Sequence, residues 1–429
     1  MLRDIINTSL TRNVAFAFKL VLGIIVARLF GTEGKGMIVA FFLIPEFIAI
    51  IGGIGVEEGY LYTLAKKKIK SSTYKKILLI IITIQIPVII IIEVIYFYIV
   101  DYDYSTTEYL LCITLAPIYL ILEVGRFSIR GINDIKSFNK SILIEALVPV
   151  LFLSILIFQK ELWWFIVGQS TGLLVALIYV WLKFYSSYDS TLVNENTKCS
   201  VKEIYNYGVK VYVFRVINVL DSKIAALIIS IALTLSELGI YSVALSISLL
   251  LQMGLQVPVS TVILPKLVTM SEKTRVTVVG IVTRSVFFVS IFFLIFTITI
   301  GHWLITSIFG NAFSDAYLPM IILIFGRVLK TPLATLNCYF KARGEPEKVT
   351  GITLRAAPIS IILSITLIPI YGVTGAAVAS VIANIVFGYY MISLYRKATN
   401  ATLQEIVAFN KNDYVLAQQK LIKIKNKYL

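Results

Sequence analysis

Residues 77–100 read ILLIIITIQIPVIIIIEVIYFYIV, an apolar run that contains a single charged side chain, Glu93. About 20 consecutive apolar residues in a helix suffice to cross the hydrocarbon core of a bilayer. The whole chain of 429 residues is 58% hydrophobic and only 15% charged, which is too apolar for a soluble domain. The sequence therefore predicts an integral membrane protein.

Apolar runs of similar length recur along the chain and predict an all-α, polytopic fold of about twelve transmembrane helices. The first six lie near residues 10–30, 37–60, 77–100, 108–125, 141–158 and 162–182. The other six lie near 208–231, 238–264, 279–308, 316–338, 348–369 and 373–395. We therefore divide the chain into an N-terminal six-helix bundle (1–183), a connecting loop (184–207), a C-terminal six-helix bundle (208–395) and a basic tail (396–429).

Lysines and arginines are concentrated in alternate connections, which predicts how the chain is oriented, because loops rich in Lys and Arg are retained in the cytoplasm. The loop after the third span instead carries Asp101, Asp103 and Glu108 and no basic residue, so it is predicted outside. Both termini, the connecting loop and the tail are thus expected in the cytoplasm. This topology, rather than nucleic-acid binding, explains the net charge of +15. The basic residues of the predicted cytoplasmic loops are Lys66, Lys67, Lys68, Lys70, Lys75, Lys76, Arg126, Arg130, Lys136, Lys140, Lys266, Lys273, Arg275, Lys341, Arg343 and Lys348.

The two halves of the chain contain related segments. The pattern F-x-x-R-G occurs as FSIRG at 127–131 and as FKARG at 340–344, each at the end of a predicted span. The pattern G-x-x-V occurs as GIGV at 53–56 and as GLQV at 254–257. Because each half holds an even number of spans, the two copies share one orientation and are related by a pseudo-two-fold axis along the membrane normal. This is the architecture of a transporter whose two bundles rock around a central cavity.

The sequence carries no pattern typical of a catalytic or metal site, so we do not expect an enzyme. His302 and the three cysteines, Cys112, Cys199 and Cys338, lack the spacing of metal ligands or of a disulfide framework. Residues 31–36 lack the spacing of a phosphate-binding loop, which argues against an ATP-driven exporter. All predicted outer loops are short, which leaves no place for the site of a polysaccharide polymerase or ligase.

Several stretches resemble those of one transporter family. They are ARLFG at 27–31, Pro265 at the end of the eighth span, FGNAF at 309–313 and, most specifically, LIPIYGVTGAA at 367–377. Over essentially its whole length the chain resembles the polysaccharide-unit flippases of the multidrug and oligosaccharidyl-lipid exporter superfamily. It departs from their pattern at 207–210, YGVK, where similar proteins often have a Gly followed by a Leu-Pro pair. Twelve spans rather than fourteen argue against a lipid II flippase.

This resemblance implies a protein of the bacterial cytoplasmic (inner) membrane. It implies that the protein moves an undecaprenyl-pyrophosphate-linked oligosaccharide, such as an O-antigen unit, to the periplasmic leaflet by alternating access. The expected partners are this polyprenyl-pyrophosphate oligosaccharide, membrane lipids and polysaccharide assembly enzymes, and the chain is expected to act as a monomer. No cofactor is expected, and coupling to H+, to Na+ or to the membrane potential stays open. The alternative is a cation-coupled multidrug or metabolite antiporter of the same superfamily, which predicts a smaller, more apolar cavity with acidic lining.

A pyrophosphate needs cationic partners on its way through a membrane, so cations within the spans are candidate site residues. Arg12, Lys19 and Gly23 share one face of the first span, with Lys19 near its middle. Snorkelling to the surface is the alternative for cations near the end of a span, such as Arg355. Pairing with a neighbouring carboxylate is the alternative for the deeper ones. The predicted cargo-binding cations are Arg12, Lys19, Arg215, Lys223, Arg327, Lys330 and Arg355.

Acidic residues within the spans form a second candidate set. Glu46 and Glu57 share one face of the second span with Gly53. Because buried carboxylates can carry protons, an ion-coupling role is expected for Glu46, Glu57, Glu145 and Asp221. Glu145 and Arg355 occupy matching positions in the repeat, which predicts that they approach each other near the inner mouth.

Overall fold

The structure, a computed structural model, describes residues 2–65, 71–99, 105–187 and 201–407. Across these ranges the chain is helical and contains no strand, which confirms the all-α prediction. The predicted outer loop around Asp101 and Asp103, residues 188–200 of the connecting loop and the tail beyond residue 407 lie outside the described residues.

The described N-terminal half of the chain, here called the N lobe, contains eight α-helices. They are α1 (Leu2–Gly52), α2 (Val56–Ala65), α3 (Ser71–Ile80), α4 (Ile86–Ile99), α5 (Thr106–Gly131), α6 (Ile135–Leu151), α7 (Leu153–Gln159) and α8 (Leu162–Ser187). A π-helical turn, Ile81–Gln85, joins α3 to α4 and makes them one span.

The described C-terminal half, here called the C lobe, contains another eight α-helices. They are α9 (Val201–Ala232), α10 (Leu235–Leu251), α11 (Val257–Thr269), α12 (Glu272–Ile308), α13 (Tyr317–Lys330), α14 (Leu333–Ala342), α15 (Pro346–Thr399) and α16 (Leu403–Val407). A π-helical turn, Gln252–Gln256, joins α10 to α11, and a 3-10 turn, Asn311–Ala316, precedes α13.

Glycines divide the two longest helices into pairs of spans. Gly31 in α1 and Gly372 in α15 have φ angles of 67° and 57°, a left-handed conformation that glycine adopts without steric cost. Each of these helices therefore folds back and supplies two of the predicted spans. Eight segments of the described chain, those in α1 and α15 included, are long and apolar enough to cross a membrane. The remaining two predicted spans are α6 with α7, and the more highly charged α9.

Several helices extend beyond the predicted spans. The fourth span, predicted to end at residue 125, continues as α5 to Gly131. Arg126 therefore lies on a helix, and the prediction that it belongs to a loop is wrong. The helix continues because the Arg126 guanidinium is hydrogen-bonded to Ser141 and Glu145 of α6, so the charge does not need water. α8 and α9 likewise extend into the predicted connecting loop from both sides.

The repeated patterns occupy equivalent places in the two lobes. GIGV interrupts the second span just before α2, which begins at Val56, and GLQV overlaps the π turn before α11, which begins at Val257. FSIRG ends α5 and FKARG ends α14, each close to a residue with a positive φ, Asn133 and Gly344. The chain is thus built as two pseudo-symmetric bundles, as the repeat predicts.

The lobes are in backbone contact at one end of the bundle. Because twelve crossings are an even number, both ends of the described chain lie together at what we call the terminal end, and the opposite end is the distal end. At the distal end α1 crosses α10 with Gly36 against Gly239, so closely that a Cβ on Gly36 would overlap the carbonyl oxygen of Leu235. Ser236 donates a hydrogen bond to Thr32 across the same seam (2.7 Å). The distal seam is therefore closed.

A second seam joins α2 to α9 in the terminal half of the bundle. Gly55, which has a φ of 75°, lies against the backbone of Gly208, and the Tyr212 hydroxyl donates to a backbone carbonyl of α1. The rings of Tyr62 and Tyr207 stack across this seam with centroids 3.9 Å apart. α9 runs without interruption through 207–210, the stretch that departs from the family pattern.

Replacing Gly36 with alanine should strain the distal seam. The added methyl group overlaps the backbone of Leu235, which cannot move aside as a flexible side chain does, so we expect Gly36→Ala to destabilise the protein by about 1–3 kcal/mol. Gly254→Ala is the matched control, because a Cβ on Gly254 meets no atom within 4 Å. Thermal unfolding in lipid nanodiscs compares the two variants, and equal midpoints would contradict the close crossing.

Candidate functional site

A cavity of about 300 Å³ lies where the N lobe meets α9, and we call it the central cavity. More than half of its lining residues are charged, which is unusual for side chains within membrane spans. Phe42, Tyr119 and Gln169 are among the others. Among the charged ones, Arg215 alone comes from the C lobe, so the N lobe builds most of the cavity. The charged lining residues are Lys19, Glu46, Glu57, Glu123, Arg126, Glu145 and Arg215.

Within the N lobe, ion pairs link three helices around the central cavity. The Lys19 Nζ of α1 lies 2.5 Å from Glu145 Oε1 of α6. The Arg126 Nη2 of α5 lies 2.6 Å from the other oxygen of Glu145, and its Nη1 lies 3.4 Å from Glu123. Glu123 and Arg126 are three residues apart on α5, which puts them on one helical face. Glu145 is therefore held by two cations at once.

Across the interface, α9 supplies the cations and the N lobe supplies the carboxylates. Arg215 pairs with Glu57 of α2 through Nη1, and its Nη2 lies 3.3 Å from Glu123. Eight residues along α9, the Lys223 Nζ lies 2.5 Å from Glu46 of α1. Cations of the C lobe and carboxylates of the N lobe thus hold the two lobes together around the cavity.

These contacts bring the two predicted sets of site residues together. Lys19, Arg215 and Lys223 were each expected either to face an open cavity or to pair with a carboxylate, and the structure shows them paired. Lys330 likewise lies 3.6 Å from Asp221. Each of the four carboxylates expected to couple ions is therefore the partner of a cation expected to bind cargo.

Lys330 and Asp221 line a smaller cavity of about 210 Å³ inside the C lobe. The amides of Gln256, Asn337 and Asn384 also line it. The Lys330 Nζ lies 5.5 Å from the centre of the Phe387 ring, a distance at which cation–π attraction adds to the ion pair. The tenth-span lysine thus belongs to the C lobe and does not reach the central cavity.

Arg327 and Arg355 also lie away from the central cavity. Arg327 donates to Ser248 (3.0 Å) and to the side-chain oxygen of Gln252 (2.5 Å), both of the C lobe. Arg355 lies over the Tyr390 ring, 5.7 Å from its centre. The predicted approach of Glu145 to Arg355 is wrong, because the two Glu145 oxygens are occupied by cations of the N lobe.

Arg12 lines a third cavity, of about 700 Å³, between α1, the junction of α5 with α6, and α11. We call it the vestibule, since it lies at the terminal end between the lobes. Arg130, the arginine of FSIRG, lines it too and lies over the rings of Phe127 (4.8 Å) and Phe138 (5.4 Å). Among the ion pairs of the described residues, neither arginine has a carboxylate partner.

Two central residues, Glu123 and Arg126, were absent from the predicted site. The spacing E-x-x-R at 123–126 was the available signal, because it favours an ion pair on one helical face rather than a loop. Within the described ranges, no three His, Cys, Asp or Glu side chains come together in a way that would hold a metal ion.

Comparison with known proteins places this geometry in context. The family described as "Polysaccharide biosynthesis protein" matches residues 1–271 of the chain. No curated protein sequence matches it. The fold is similar to that of the lipid II flippase MurJ in an inward closed conformation, with a TM-score of 0.69, 16% identity, and coverage of 98% of this chain and 96% of that one.

Multidrug transporters share the same fold. An inward-facing multidrug resistance MATE family transporter of the MOP superfamily has a TM-score of 0.65 and 16% identity, with coverage of 90% of this chain and 94% of that one. The MATE transporter VcmN of Vibrio cholerae has a TM-score of 0.56 and 11% identity, with coverage of 94% and 98%. At these identities the likeness shows the fold, a two-lobed arrangement of membrane-spanning helices.

Removing Arg126 should destabilise the protein strongly. Its side chain is 11% exposed, and its loss removes hydrogen bonds to Glu123 and Glu145 while leaving each with one other cation, so we expect Arg126→Ala to cost about 1.5–3 kcal/mol. Lys348→Ala removes an exposed lysine whose partner, Glu345, keeps Arg343, and it serves as the control, with no measurable effect expected. Thermal unfolding measures both. A midpoint for Arg126→Ala equal to that of Lys348→Ala would show that the ion pairs do not support the fold.

Proposed function

The chain belongs to the polysaccharide biosynthesis protein family, and we propose that it is a flippase for a polyprenyl-pyrophosphate-linked oligosaccharide. The cargo would be an undecaprenyl-pyrophosphate-linked repeat unit, such as an O-antigen unit. It would move from the cytoplasmic to the periplasmic leaflet of the bacterial inner membrane. The MOP-superfamily transporter fold supports this proposal, because the lipid II flippase MurJ has a similar fold.

The observation that carries the proposal is the row of cations along the interface between the lobes. Arg12 and Arg130 line the vestibule, and Lys19, Arg126 and Arg215 line the central cavity beyond it. Arginine and lysine bind phosphate oxygens through charge-assisted hydrogen bonds, which are about twice as strong as neutral ones. A pyrophosphate that enters at the terminal end would therefore meet cationic partners from the surface to the interior.

The closed distal seam suggests how the two lobes of the protein would move. With the terminal end in the cytoplasm, as its basic loops predict, this structure would correspond to a transporter closed to the outside. Cargo would enter the vestibule, place its phosphates on the cations, and leave its polyprenyl tail in the bilayer. Rocking of the lobes would then open the distal seam and close the vestibule. The protein would act as a monomer, because each of the cavities is lined by residues of one chain.

The energy source is proposed to be the membrane potential. The outward movement of an anion from a negative cell interior is favoured by about 2.3 kcal/mol per charge per 100 mV. No cofactor enters this scheme. The coupling of H+ or Na+ to Glu46, Glu57, Glu145 or Asp221 would require one of these carboxylates to exchange its cation for the coupling ion.

The second candidate is a cation-coupled multidrug or metabolite antiporter. The carboxylates of the central cavity favour it, because Glu46 and Glu57 could bind a cationic drug there. The similar fold of the MATE transporters also supports it. The two candidates differ in the sign of the cargo. Binding of pyrophosphate lipids or of cationic drugs therefore distinguishes them.

Vesicles that contain the purified protein should transfer a labelled polyprenyl-pyrophosphate oligosaccharide between leaflets. Because each lost contact between a cation and phosphate removes about 1.5–3 kcal/mol, we expect Lys19→Ala and Arg215→Ala to slow transfer at least about tenfold. Lys273→Ala removes an exposed cation of α12 and should leave transfer unchanged. Absence of transfer by the unmodified protein, together with binding of cationic drugs, would establish the antiporter instead.

The same transfer should respond to an imposed potential at fixed pH and fixed Na+ concentration. A potential that is negative on the cytoplasmic side should speed outward movement, and the opposite potential should slow it, because the cargo carries negative charge. The rate is measured while the potential is set with a potassium gradient and valinomycin. Transfer that is indifferent to the potential would rule out this energy source.

A further inference from the structure

Two cations of α1, Arg28 and Lys35, lie near its turn at the distal end, where the cargo would leave the protein. Arg28 donates hydrogen bonds to the carbonyl oxygens of Ser307 and Ile308 at the end of α12. The partial negative charge at a helix C-terminus stabilises a cation there, so Arg28 serves the contact between the lobes. Lys35 has no comparable partner, because no carboxylate of the described residues forms an ion pair with it.

The Lys35 ammonium points into the bundle rather than out of it. A lysine near the end of a span normally extends its ammonium toward water. The Lys35 Nζ instead lies against the buried Gly23, 2.8 Å from the position that a Cβ of that residue would occupy. At 1.5 Å per residue, Gly23 lies about 12 Å along the axis from the turn at Gly31, whereas the backbone of Lys35 lies about 6 Å from it. The side chain therefore runs about one helical turn deeper than its own backbone.

This position continues the row of cations along α1. Gly23 follows Lys19 by one turn on the same helical face, so the Lys35 ammonium lies about 6 Å beyond the level of Lys19 toward the distal end. In the second half of α1, Lys35 shares a face with Phe42, seven residues on, and Phe42 lines the central cavity. Both halves of α1 thus place the ammonium next to the distal boundary of the central cavity.

The distal seam covers this boundary. Thr32 accepts a hydrogen bond from Ser236 of α10, and Gly36 lies against Gly239. Lys35 follows Thr32 by three residues, which puts it beside the seam on the same side of the helix. Opening of the seam would join the surroundings of the ammonium to the central cavity. A cation kept in the bundle without a carboxylate does not stabilise the closed structure, so its function belongs to another state of the protein.

We propose that Lys35 is the exit-side cation of the path, which binds the pyrophosphate once the distal seam has opened. A phosphate that leaves Lys19 and Arg215 meets this ammonium one turn further out. Binding to Lys35 displaces no carboxylate, and the departure of the phosphate lets Lys19 and Arg215 pair again with Glu145 and Glu57. Lys35 thereby speeds the release of the cargo. This inference rests on the proposed function, since it assumes an anionic cargo.

The first test measures transfer of the labelled polyprenyl-pyrophosphate oligosaccharide between the leaflets of vesicles. Lys35→Met keeps the length of the side chain and removes its charge, and we expect it to slow transfer at least about tenfold, or about 1.4 kcal/mol of barrier. Lys35→Arg keeps the charge and should retain most of the transfer. Lys160→Met is the matched control, because Lys160 is an exposed lysine of the connection between α7 and α8 at the same end, and its transfer should be unchanged.

The second test separates exit from entry by locking the distal seam. Thr32→Cys combined with Ser236→Cys places two thiols where the hydroxyl groups are 2.7 Å apart, and their oxidation holds the seam closed. The dissociation constant of undecaprenyl pyrophosphate is then measured in phosphatidylcholine nanodiscs. In the locked protein Lys35→Met should leave this constant unchanged, whereas Lys19→Ala should raise it. Equal weakening by Lys35→Met would place Lys35 in the entry site and refute its role in exit.

A third pair of measurements excludes a structural role for Lys35. Its ammonium has no carboxylate to pair with, so Lys35→Met should leave the midpoint of thermal unfolding unchanged or raise it. A lower midpoint together with slower transfer would show a structural role. Gly23→Ala adds a methyl group that displaces the ammonium without removing it. It should slow transfer in the unmodified protein and have no effect in Lys35→Met, and equal slowing in both backgrounds would refute the position of the ammonium.

The outcomes separate this inference from the proposed function. An unmodified protein that transfers no pyrophosphate-linked cargo contradicts both. Transfer by the unmodified protein at a rate that Lys35→Met does not change leaves the proposed function standing and refutes the role of Lys35. If Lys35→Met does not fold, Gly23→Ala decides, because it retains the lysine, and unchanged transfer by that variant refutes the role as well.

Discussion

A charge within a membrane-spanning helix needs a partner of opposite sign, because neither hydrocarbon nor packed side chains solvate it. The centre of this protein meets that requirement with ion pairs between helices rather than with water alone. Glu145 of α6 pairs with Lys19 of α1 and with Arg126 of α5, so the three helices are linked. Arg215 extends the same set of pairs to the other lobe. These contacts, together with apolar packing, hold the spans in place around the cavity.

The two lobes share a fold but not a distribution of charge. Both have an interrupted span at equivalent positions, with a turn at GIGV in the N lobe and a π turn at GLQV in the C lobe. The acidic residues that meet the interface lie in the N lobe, whereas α9 contributes Arg215 and Lys223. This asymmetry gives the interface electrostatic complementarity, so that the lobes attract each other when the cavity is empty. An anionic headgroup would weaken that attraction by replacing the carboxylates, which would link binding of the proposed cargo to movement of the lobes.

Most of the fold could be predicted from the sequence, because a bilayer permits few structures and helices of about 20 apolar residues are easily recognised. Which charged side chains pair with each other could not be predicted. Hydropathy and helical periodicity indicate which charged side chains lie within the spans, but not which helices are neighbours. The error over Glu145 and Arg355 has this origin, since matching positions in a repeat are equivalent without being adjacent. Arg126 was wrongly assigned to a loop for a related reason, because a charged residue can lie within a span when a neighbouring helix supplies a partner of opposite charge.

The most direct test of the proposed exchange, in which cargo phosphates replace the carboxylate partners of Lys19 and Arg215, is a structure of the protein with undecaprenyl pyrophosphate bound. The two phosphates should lie between Lys19 and Arg215, with Arg215 no longer within about 4 Å of Glu57, the usual limit of an ion pair. Glu145 should remain paired with Arg126. Phosphates bound elsewhere, with the pairs of Lys19 and Arg215 intact, would contradict both the site and the exchange.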